Sequence, residues 1–490
     1  MVWYKRGAES LLVGIILGIG FVVPALWWLS LVGVGYVVWL LEQDKLTPGR
    51  AWMMWTVKYL LSLLWFWSVY PLDWLGVNLG SLELVAIGFY WLTATVWLGS
   101  GGVLVYGLYK LIQTFLPRVR FAVLPLIWLL GELFGALVFS VMTYGPGATV
   151  GTKFSFGFVG YHLAQHNLLL QTAAVGGVYV LTILLVVFAV IGFWLIQQKR
   201  WVVVGILTSA LFLSTLWTPS EIEVDQGVTV AVVDTDISAT YRLTNQGQFA
   251  KKAAIDEAYE AAVALPVEYV VFPEDSRVFD QSQGISNLEA LLEFTTASSS
   301  PTVIDSGSVT GVSDSVLQGV IYDPARAEAT IATKRYLVPQ GEFMPTAYYW
   351  LLRLIGFGET AEYMQSNFSY VAGEQNSQAQ FSAELPLILF CFESVDPTGV
   401  RSLVQDRTDT PPFIAHVVSH GWFHDARNLY PQLEAMLRIQ AIWNRVYIVS
   451  AANQATGYTI TANGTIVYPE PVTAGEGWQV GTVTIPAEAD

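Results

Sequence analysis

Cysteine is nearly absent from this 490-residue chain, which carries only Cys391. No internal disulfide can form, so an oxidising compartment would leave no stapling signature in the sequence. Charge is scarce too, at 13% of residues against the roughly 25% of soluble domains. Basic residues are fewest where a nucleic-acid partner would need them. Residues 218–490 hold thirteen Lys/Arg and thirty-three Asp/Glu, and phosphate binding requires the opposite balance. Histidine is also sparse, with five in all. His162 and His166 sit four apart beside Tyr161, too few ligands for a metal site. His416, His420 and His424 fall across a strand and a turn, where four-residue spacing does not bring side chains to one face. Neither a metal nor a cofactor is expected.

What is abundant is apolar sequence, 53% of the chain, and it is concentrated in the first half. Stretches near the 17–25 residues that span a bilayer recur at about 9–27, 29–42 (short), 51–70, 84–109, 121–143, 169–197 and 202–217. The first lacks a small-residue cleavage site and runs through Pro24 into the second, so it reads as a hairpin rather than a removable signal. With the N-terminus in the cytoplasm, the inside loops carry Lys5, Arg6, Lys45, Arg50, Lys110, Arg118, Arg120, Lys199 and Arg200, and the outside loops only Lys153. That asymmetry is the positive-inside pattern. Seven crossings then put residue 218 onward on the far side, periplasmic in a cell with two membranes. The chain divides into a helical bundle, residues 1–217, and an acidic, extracytoplasmic, water-facing domain, residues 218–490. Glu132, in Trp128-Leu-Leu-Gly-Glu132, lies within a span. It reads either as half of a structural pair or as a functional group, since such carboxylates face bundle interiors.

From Val228 the texture changes to short β-branched runs separated by polar helical stretches. Strands are expected at Val228–Val233, Tyr269–Phe272, Val303–Asp305, Val316–Ile321, Leu385–Phe390, Ala415–Val418 and Tyr447–Ser450, and a helix at Asn245–Val263. Asn463-Gly464 marks a hairpin between Tyr458–Ile460 and Thr465–Val467. This is a layered α/β architecture. The long connection from about 340 to 384 contains Tyr348-Tyr349-Trp350-Leu351-Leu352, which reads equally as a small buried helix and as a lid or lipid-contacting arm.

Three segments share one design, a buried strand ending in a reactive residue. They are Val270-Val271-Phe272-Pro273-Glu274, the run Thr333-Lys334-Arg335-Tyr336-Leu337-Val338-Pro339-Gln340-Gly341-Glu342, and Leu387-Ile388-Leu389-Phe390-Cys391-Phe392-Glu393. Strand ends are where α/β sheets place ligands. Glu274 can serve as base to the Cys391 thiol, since the thiolate is the attacking form. Lys334 can stabilise the thiolate and the following oxyanion, with the Phe392 backbone N–H as second donor.

In these motifs the chain resembles the apolipoprotein N-acyltransferases, membrane-embedded members of the nitrilase superfamily. Pro273-Glu274 is similar to that family's glutamate motif. Lys334 to Pro345, reading KRYLVPQGEFMP, is similar to its lysine motif, which includes a second glutamate, here Glu342. Cys391-Phe392-Glu393, Gly421-Trp422-Phe423, Phe368-Ser369 and Gly373 match further motifs, with weaker likeness at Glu132, Gly160-Tyr161 and Gly176-Gly177-Val178-Tyr179. Phe392 stands where the family usually has Tyr, Ser419-His420 where it has Asn-Asp or similar, and no tryptophan is evident around Asp234–Leu243. The family commonly closes with a further span, whereas this sequence ends in Ala487-Glu488-Ala489-Asp490. The resemblance implies an αββα sandwich with a Glu274-Lys334-Cys391 triad, Glu342 orienting Lys334 or an amine, and Glu393 supporting the thiol's loop. It also implies a phospholipid acyl donor, a thioester on Cys391, a lipidated lipoprotein as acceptor, and a monomer in the bacterial inner membrane. A membrane-tethered amidase, another acyl transferase, or a non-catalytic lipid-binding relative are the competing expectations.

Overall fold

The computed structural model describes residues 2–76, 80–219, 227–279, 300–310, 315–326, 328–374, 378–405, 407, 409–424 and 426–486. Its first part is helical: α1 (Val2–Gly18), α2 (Leu29–Glu42), α3 (Pro48–Ser62), α4 (Leu82–Phe115), α5 (Arg120–Met142), α6 (Gly177–Gln197) and α7 (Trp201–Leu213). Every expected span thus contains a helix, but only four of the described helices are long and apolar enough to cross a membrane. These are Pro24–Glu42, Leu82–Phe115, Arg120–Met142 and Gly177–Gln197. The expected count of seven is corrected to four on this criterion. α1, α3 and α7 have 17, 15 and 13 residues, because 3₁₀ turns at Ile19–Phe21, Leu64–Val69 and Ser214–Leu216 take over their last stretches. α6 also starts later than expected, at Gly177, whose φ of 59° is a left-handed conformation suited to glycine.

Small residues let α4 and α5 approach closely. A Cβ on Gly101 of α4 would lie 2.2 Å from the Gly131 carbonyl oxygen of α5, and one on Gly135 would lie 2.4 Å from that of Leu98. Close backbone approach of this kind supplies the van der Waals packing that joins helices in lipid. Beside it, Glu132 meets Lys58 of α3 at 3.0 Å, with both side chains fully buried. Glu132 also accepts hydrogen bonds from the Val159 N–H and the Thr182 hydroxyl, at 3.0 and 3.4 Å. The carboxylate is a structural hub whose cationic partner, Lys58, is masked in the sequence by the apolar run around it. His162 and His166 are likewise engaged locally, on the carbonyls of Leu17 and Leu211.

The second part holds strands β1 (Gly227–Thr235), β2 (Tyr269–Val271), β3 (Thr302–Thr310), β4 (Ser315–Asp323), β5 (Glu328–Thr333), β6 (Leu387–Phe390), β7 (Ile414–Ser419), β8 (Ile448–Asn453), β9 (Tyr458–Ile460), β10 (Ile466–Val467), β11 (Glu470–Gly475) and β12 (Trp478–Pro486). They form one continuous sheet that divides at a single bridge, Thr235–Asn453. On one side the order is β11-β12-β1-β2-β3-β4-β5, and on the other β6-β7-β8-β9-β10. Alternation along β1 shows how the halves face each other. Val230 and Val232 join Ile304, Ile321, Ile388, Phe390, Val417 and Val449 in the interior core. Ala231 and Val233 point the other way, onto Ala258 and Ala262 of α8 (Asn245–Val263). On the opposite outer face, Leu387, Leu389, Ile414 and Ile448 pack on Leu437 and Ala441 of α11 (Tyr430–Asn444). The layers therefore run helix, sheet, sheet, helix. α11 also turns Leu433, Met436 and Ile439 into the core of the helical part, so one helix is shared by both. Between these elements lie α9 (Thr346–Leu354) and α10 (Gly358–Asn367). β11 and β12, rich in Thr and Gly, escaped the sequence expectations.

Candidate active site

Each sequence-selected residue follows directly on, or close behind, a strand. β2 stops at Val271, and Pro273 then lacks the N–H a ladder would need, leaving Glu274 at the mouth of a turn. β5 ends at Thr333 and Lys334 turns inward, its N–H on the Leu317 carbonyl at 2.9 Å and its own carbonyl held by Gly373 N–H at 2.7 Å. A Cβ on Gly373 would sit 2.0 Å from the Thr333 hydroxyl, so only glycine permits that approach. β5 is an edge strand with Ala332 its one buried residue, not the buried strand the sequence pattern suggested. β6 is wholly buried, and Cys391 opens the 3₁₀ turn Cys391–Val395 at its end.

Two glutamates build the frame around these ends. Glu342 accepts from the Val338 N–H at 2.8 Å, which closes the lysine motif on itself. Gly341 has Trp422 against it, where a Cβ would come within 2.3 Å of the indole. Glu393 accepts from the N–H groups of Arg335, Tyr336 and Phe390, at 2.6, 3.3 and 3.2 Å, and pairs with the Arg335 guanidinium at 3.2 Å. The thiol's turn and the lysine's loop are thus tied through one buried carboxylate. Phe392 contributes no polar atom from its side chain. Its ring lies 5.0 Å from that of Tyr336 and 6.3 Å from that of Phe154.

At the centre the Lys334 ammonium lies 2.9 Å from Glu274 and 2.5 Å from Glu342, and its side chain is fully buried. Burial pushes the Glu274 carboxyl up to about 7, with Lys334 opposing and the charges of Glu342 and Asp275 adding to the rise. For Lys334, burial disfavours the charge, but Glu274 and Glu342 outweigh it and hold the ammonium above the usual lysine range. Burial also pushes the Cys391 thiol up, and its ionisation feels Glu274, Lys334 and Glu342. The sulfur donates at 3.9 Å to the Ser419 carbonyl. The set therefore combines a thiol whose ionisation burial disfavours, a carboxyl raised to about 7 and an ammonium whose charge its two carboxylate neighbours favour. Such a set can pass the thiol proton to Glu274 while Lys334 holds the negative charge that develops.

Cys391, Glu274 and Glu342 open onto a cavity of about 240 Å³ with two unlike walls. One is apolar and belongs largely to the helical part, with Trp65, Phe66, Leu72, Trp74 and Phe156. The other is polar, with Tyr241, Lys251 and Arg277. Trp422 stacks on Trp74 at 5.2 Å, nearly parallel, and helps join the walls. Sequence reasoning did not single out these wall residues. The aromatic run Trp65-Phe66-Trp67, just where a span was expected to end, was the available signal. The segment forms a helix, α9, that is buried on one side and exposed on the other. Tyr348 is buried against Tyr90 and Trp97 of α4, with ring centroids at 4.7 and 5.8 Å, while Trp350 and Leu354 stand 60% and 84% exposed. His416 bonds to Ser450 at 2.9 Å and His424 to the Pro71 carbonyl at 3.1 Å.

No family model matches the chain. It is similar to the apolipoprotein N-acyltransferase of Gloeobacter violaceus, 24% identical over 486 residues that cover 94% of this chain and 87% of that protein. A second apolipoprotein N-acyltransferase, from Rhodopseudomonas palustris, is 29% identical over 138 residues, 28% of this chain and 24% of that protein. The resemblance drawn from the motifs therefore extends along nearly the whole chain. Among solved structures, a carbon-nitrogen hydrolase from Helicobacter pylori G27 aligns with 9% identity and a TM-score of 0.34 over 52% of this chain and 89% of its own. Nit3 of Saccharomyces cerevisiae, of the nitrilase superfamily, aligns with 12% identity and a TM-score of 0.35 over 56% and 94%.

Proposed function

We propose that the chain is an acyltransferase of the apolipoprotein N-acyltransferase kind, the activity in the names of the proteins it resembles along its length. The observation that carries this reading is a buried ammonium between two carboxylates near the sole thiol, at a cavity lined by aromatic residues from turns of the helical part. An acyl chain suits the apolar wall, and the polar end suits the ester that is cut. Glu274 takes the thiol proton as the sulfur attacks the ester carbonyl of a phospholipid. The carbon–oxygen bond then breaks, the proton passes from Glu274 to the departing alkoxide, and the acyl group remains on Cys391 as a thioester. In the second half, the α-amine of a lipidated N-terminal cysteine on a lipoprotein attacks that carbonyl. The carbon–sulfur bond breaks, the amine proton passes by way of Glu274 to the leaving sulfur, and the thiol is restored. This is two-step covalent transfer, with Lys334 stabilising each oxyanion and Glu342 holding Lys334.

The proposed division is a membrane bundle, residues 1–217, and an extracytoplasmic catalytic domain, residues 218–490, acting as a monomer in the inner membrane. Seven crossings are proposed from the positive-inside pattern, with α1, α3 and α7 each continued by the 3₁₀ turn behind it, to Phe21, Val69 and Leu216, the last a short apolar stretch, Trp201–Leu216. A 3₁₀ turn rises about 2.0 Å per residue and adds more length than the same number of α-helical residues. The test of the reaction is to incubate the full chain with phospholipid vesicles and weigh the Cys391 peptide. A fatty-acyl increment is expected. A small acyl increment would favour the tethered amidase or another acyl transfer. Absence of any increment, with Cys391→Ser fully replacing the wild type, would overturn the enzyme reading in favour of a lipid-binding protein.

A further inference from the structure

Immediately after Glu274 the backbone does something unusual. Asp275 and Arg277 both adopt left-handed conformations, with φ of 62° and 57°. Neither is glycine, and such residues persist only where their surroundings hold them. The holding contacts converge on Asp275. The Lys251 ammonium, on α8, donates to the Asp275 carbonyl and reaches its carboxylate at 3.3 Å. Arg277 Nε donates to the carboxylate at 2.6 Å, and the Tyr241 hydroxyl at 2.5 Å. β3 closes the other side, since the Asp275 N–H donates to the Ser306 hydroxyl at 3.1 Å and the Arg277 N–H to the Ser306 carbonyl at 3.1 Å. Arg277 Nη2 reaches the Ser308 hydroxyl at 2.5 Å. The Lys251 ammonium also sits 3.9 Å from the centre of the Tyr241 ring. Three separate elements thus grip the one residue that follows the candidate base.

We propose that Asp275, clamped by Lys251, Arg277 and Tyr241, is a positioning residue that fixes Glu274 against Lys334. The proposal rests on reading Glu274 as the base. β2 hydrogen bonding ends before Glu274, so without the clamp its carboxylate would be free to swing away from the ammonium. A strained turn locked by buried charges converts that freedom into one geometry. The clamp also acts electrostatically. The groups that face Glu274 are Lys334, Glu342, Asp275 and the Cys391 thiol, with Asp305 of β3 lying further back against Lys251. Despite burial, Lys251, Arg277 and the Tyr241 hydroxyl hold Asp275 at about 2. Its negative charge favours the protonated form of Glu274.

The test is alkylation of Cys391 by iodoacetamide across pH in the full chain, which needs neither acyl donor nor acceptor. Asp275→Asn keeps the side-chain shape and suits left-handed backbone, but removes the charge that anchors the clamp. We expect the plateau rate to fall by about tenfold or more, as small misplacements of catalytic groups do, and the acid limb to move to lower pH. Lys251→Met should lower the plateau similarly on its own, yet change the Asp275→Asn protein less than about twofold, because partners in one network are not additive. An unchanged plateau and acid limb in Asp275→Asn would overturn the clamp. So would independent, multiplicative losses, or a loss that follows thermal stability alone with the acid limb unmoved. A wild-type acid limb that survives Glu274→Gln would instead overturn the reading of Glu274 as base.

Discussion

Replacing Lys334 by methionine separates two things that this side chain does at once. The ammonium is fully buried and lies 2.9 Å from Glu274 and 2.5 Å from Glu342. Removing it withdraws the charge opposite the developing oxyanion, and loss of one such donor costs about 10²–10³ in kcat, or roughly 3–4 kcal/mol. It also leaves two buried carboxylates facing each other, and breaking a buried pair costs about 3–5 kcal/mol of stability. Because Lys334 is not part of the cavity wall, substrate affinity should hardly move. The expected result is a kcat lower by about two to three powers of ten with KM within a few-fold, together with a lowered Tm. Adding Glu342→Gln to Lys334→Met removes the second carboxylate charge, so the double variant should regain much of its stability without regaining rate. The assay is single-turnover acylation of Cys391 followed by intact mass, alongside thermal unfolding in the same detergent. A raised KM at unchanged kcat, or recovery of rate in the double variant, would refute the reasoning.

Further outcomes follow from other contacts. With Glu274 pushed up to about 7 and Lys334 cationic well beyond that, Cys391 acylation should rise about tenfold per pH unit on the acid side and level off above about 7. A limb centred near the ordinary glutamate range would contradict the burial of that carboxyl. Lys58→Met strands Glu132 among helices and should cost about 3–5 kcal/mol, while Lys58→Met with Glu132→Leu should restore most of it, as read by thermal unfolding. Gly101→Ala would place a methyl 2.2 Å from the Gly131 carbonyl, so the variant should lower Tm by more than Gly107→Ala, whose Cβ meets nothing. A reporter joined after Trp217 should be active only outside the cytoplasm, and cytoplasmic activity would sink the proposed topology.

The sequence announced its chemistry more clearly than its boundaries, for physical reasons. α8 was legible to the residue at both ends because its alanine-rich, charged pattern is local and Thr244 caps it through the Gly247 N–H. The β9–β10 hairpin was legible because a left-handed Gly464 is a local demand. Lys334, Glu274 and Cys391 were legible as strand-end polar groups, although their convergence depends on how a sheet folds over itself. What escaped was decided at a distance. Lys58 makes sense only once α3 and α5 bring it to Glu132. Asp275 looks like an ordinary turn acid until Lys251, twenty-four residues earlier, reaches it. The lengths of α1 and α3 were misjudged because apolar composition continues through a 3₁₀ turn that no hydropathy pattern reveals.

α11 carries a consequence for anyone hoping to work with the sheet part by itself. One flank of this helix covers the sheet through Leu437 and Ala441, and the other seats Leu433, Met436 and Ile439 among the helices. Gln432 reaches the Ser62 carbonyl, and Arg438 the Ala164 carbonyl, both at 2.9 Å. A fragment starting at β1 would therefore present a greasy seam on its surface, flanked by an amide and a guanidinium that each lose acceptors in the helical part. Solubility of the excised piece will depend on repainting that seam with polar side chains, and no choice of where to cut the preceding chain can substitute for it.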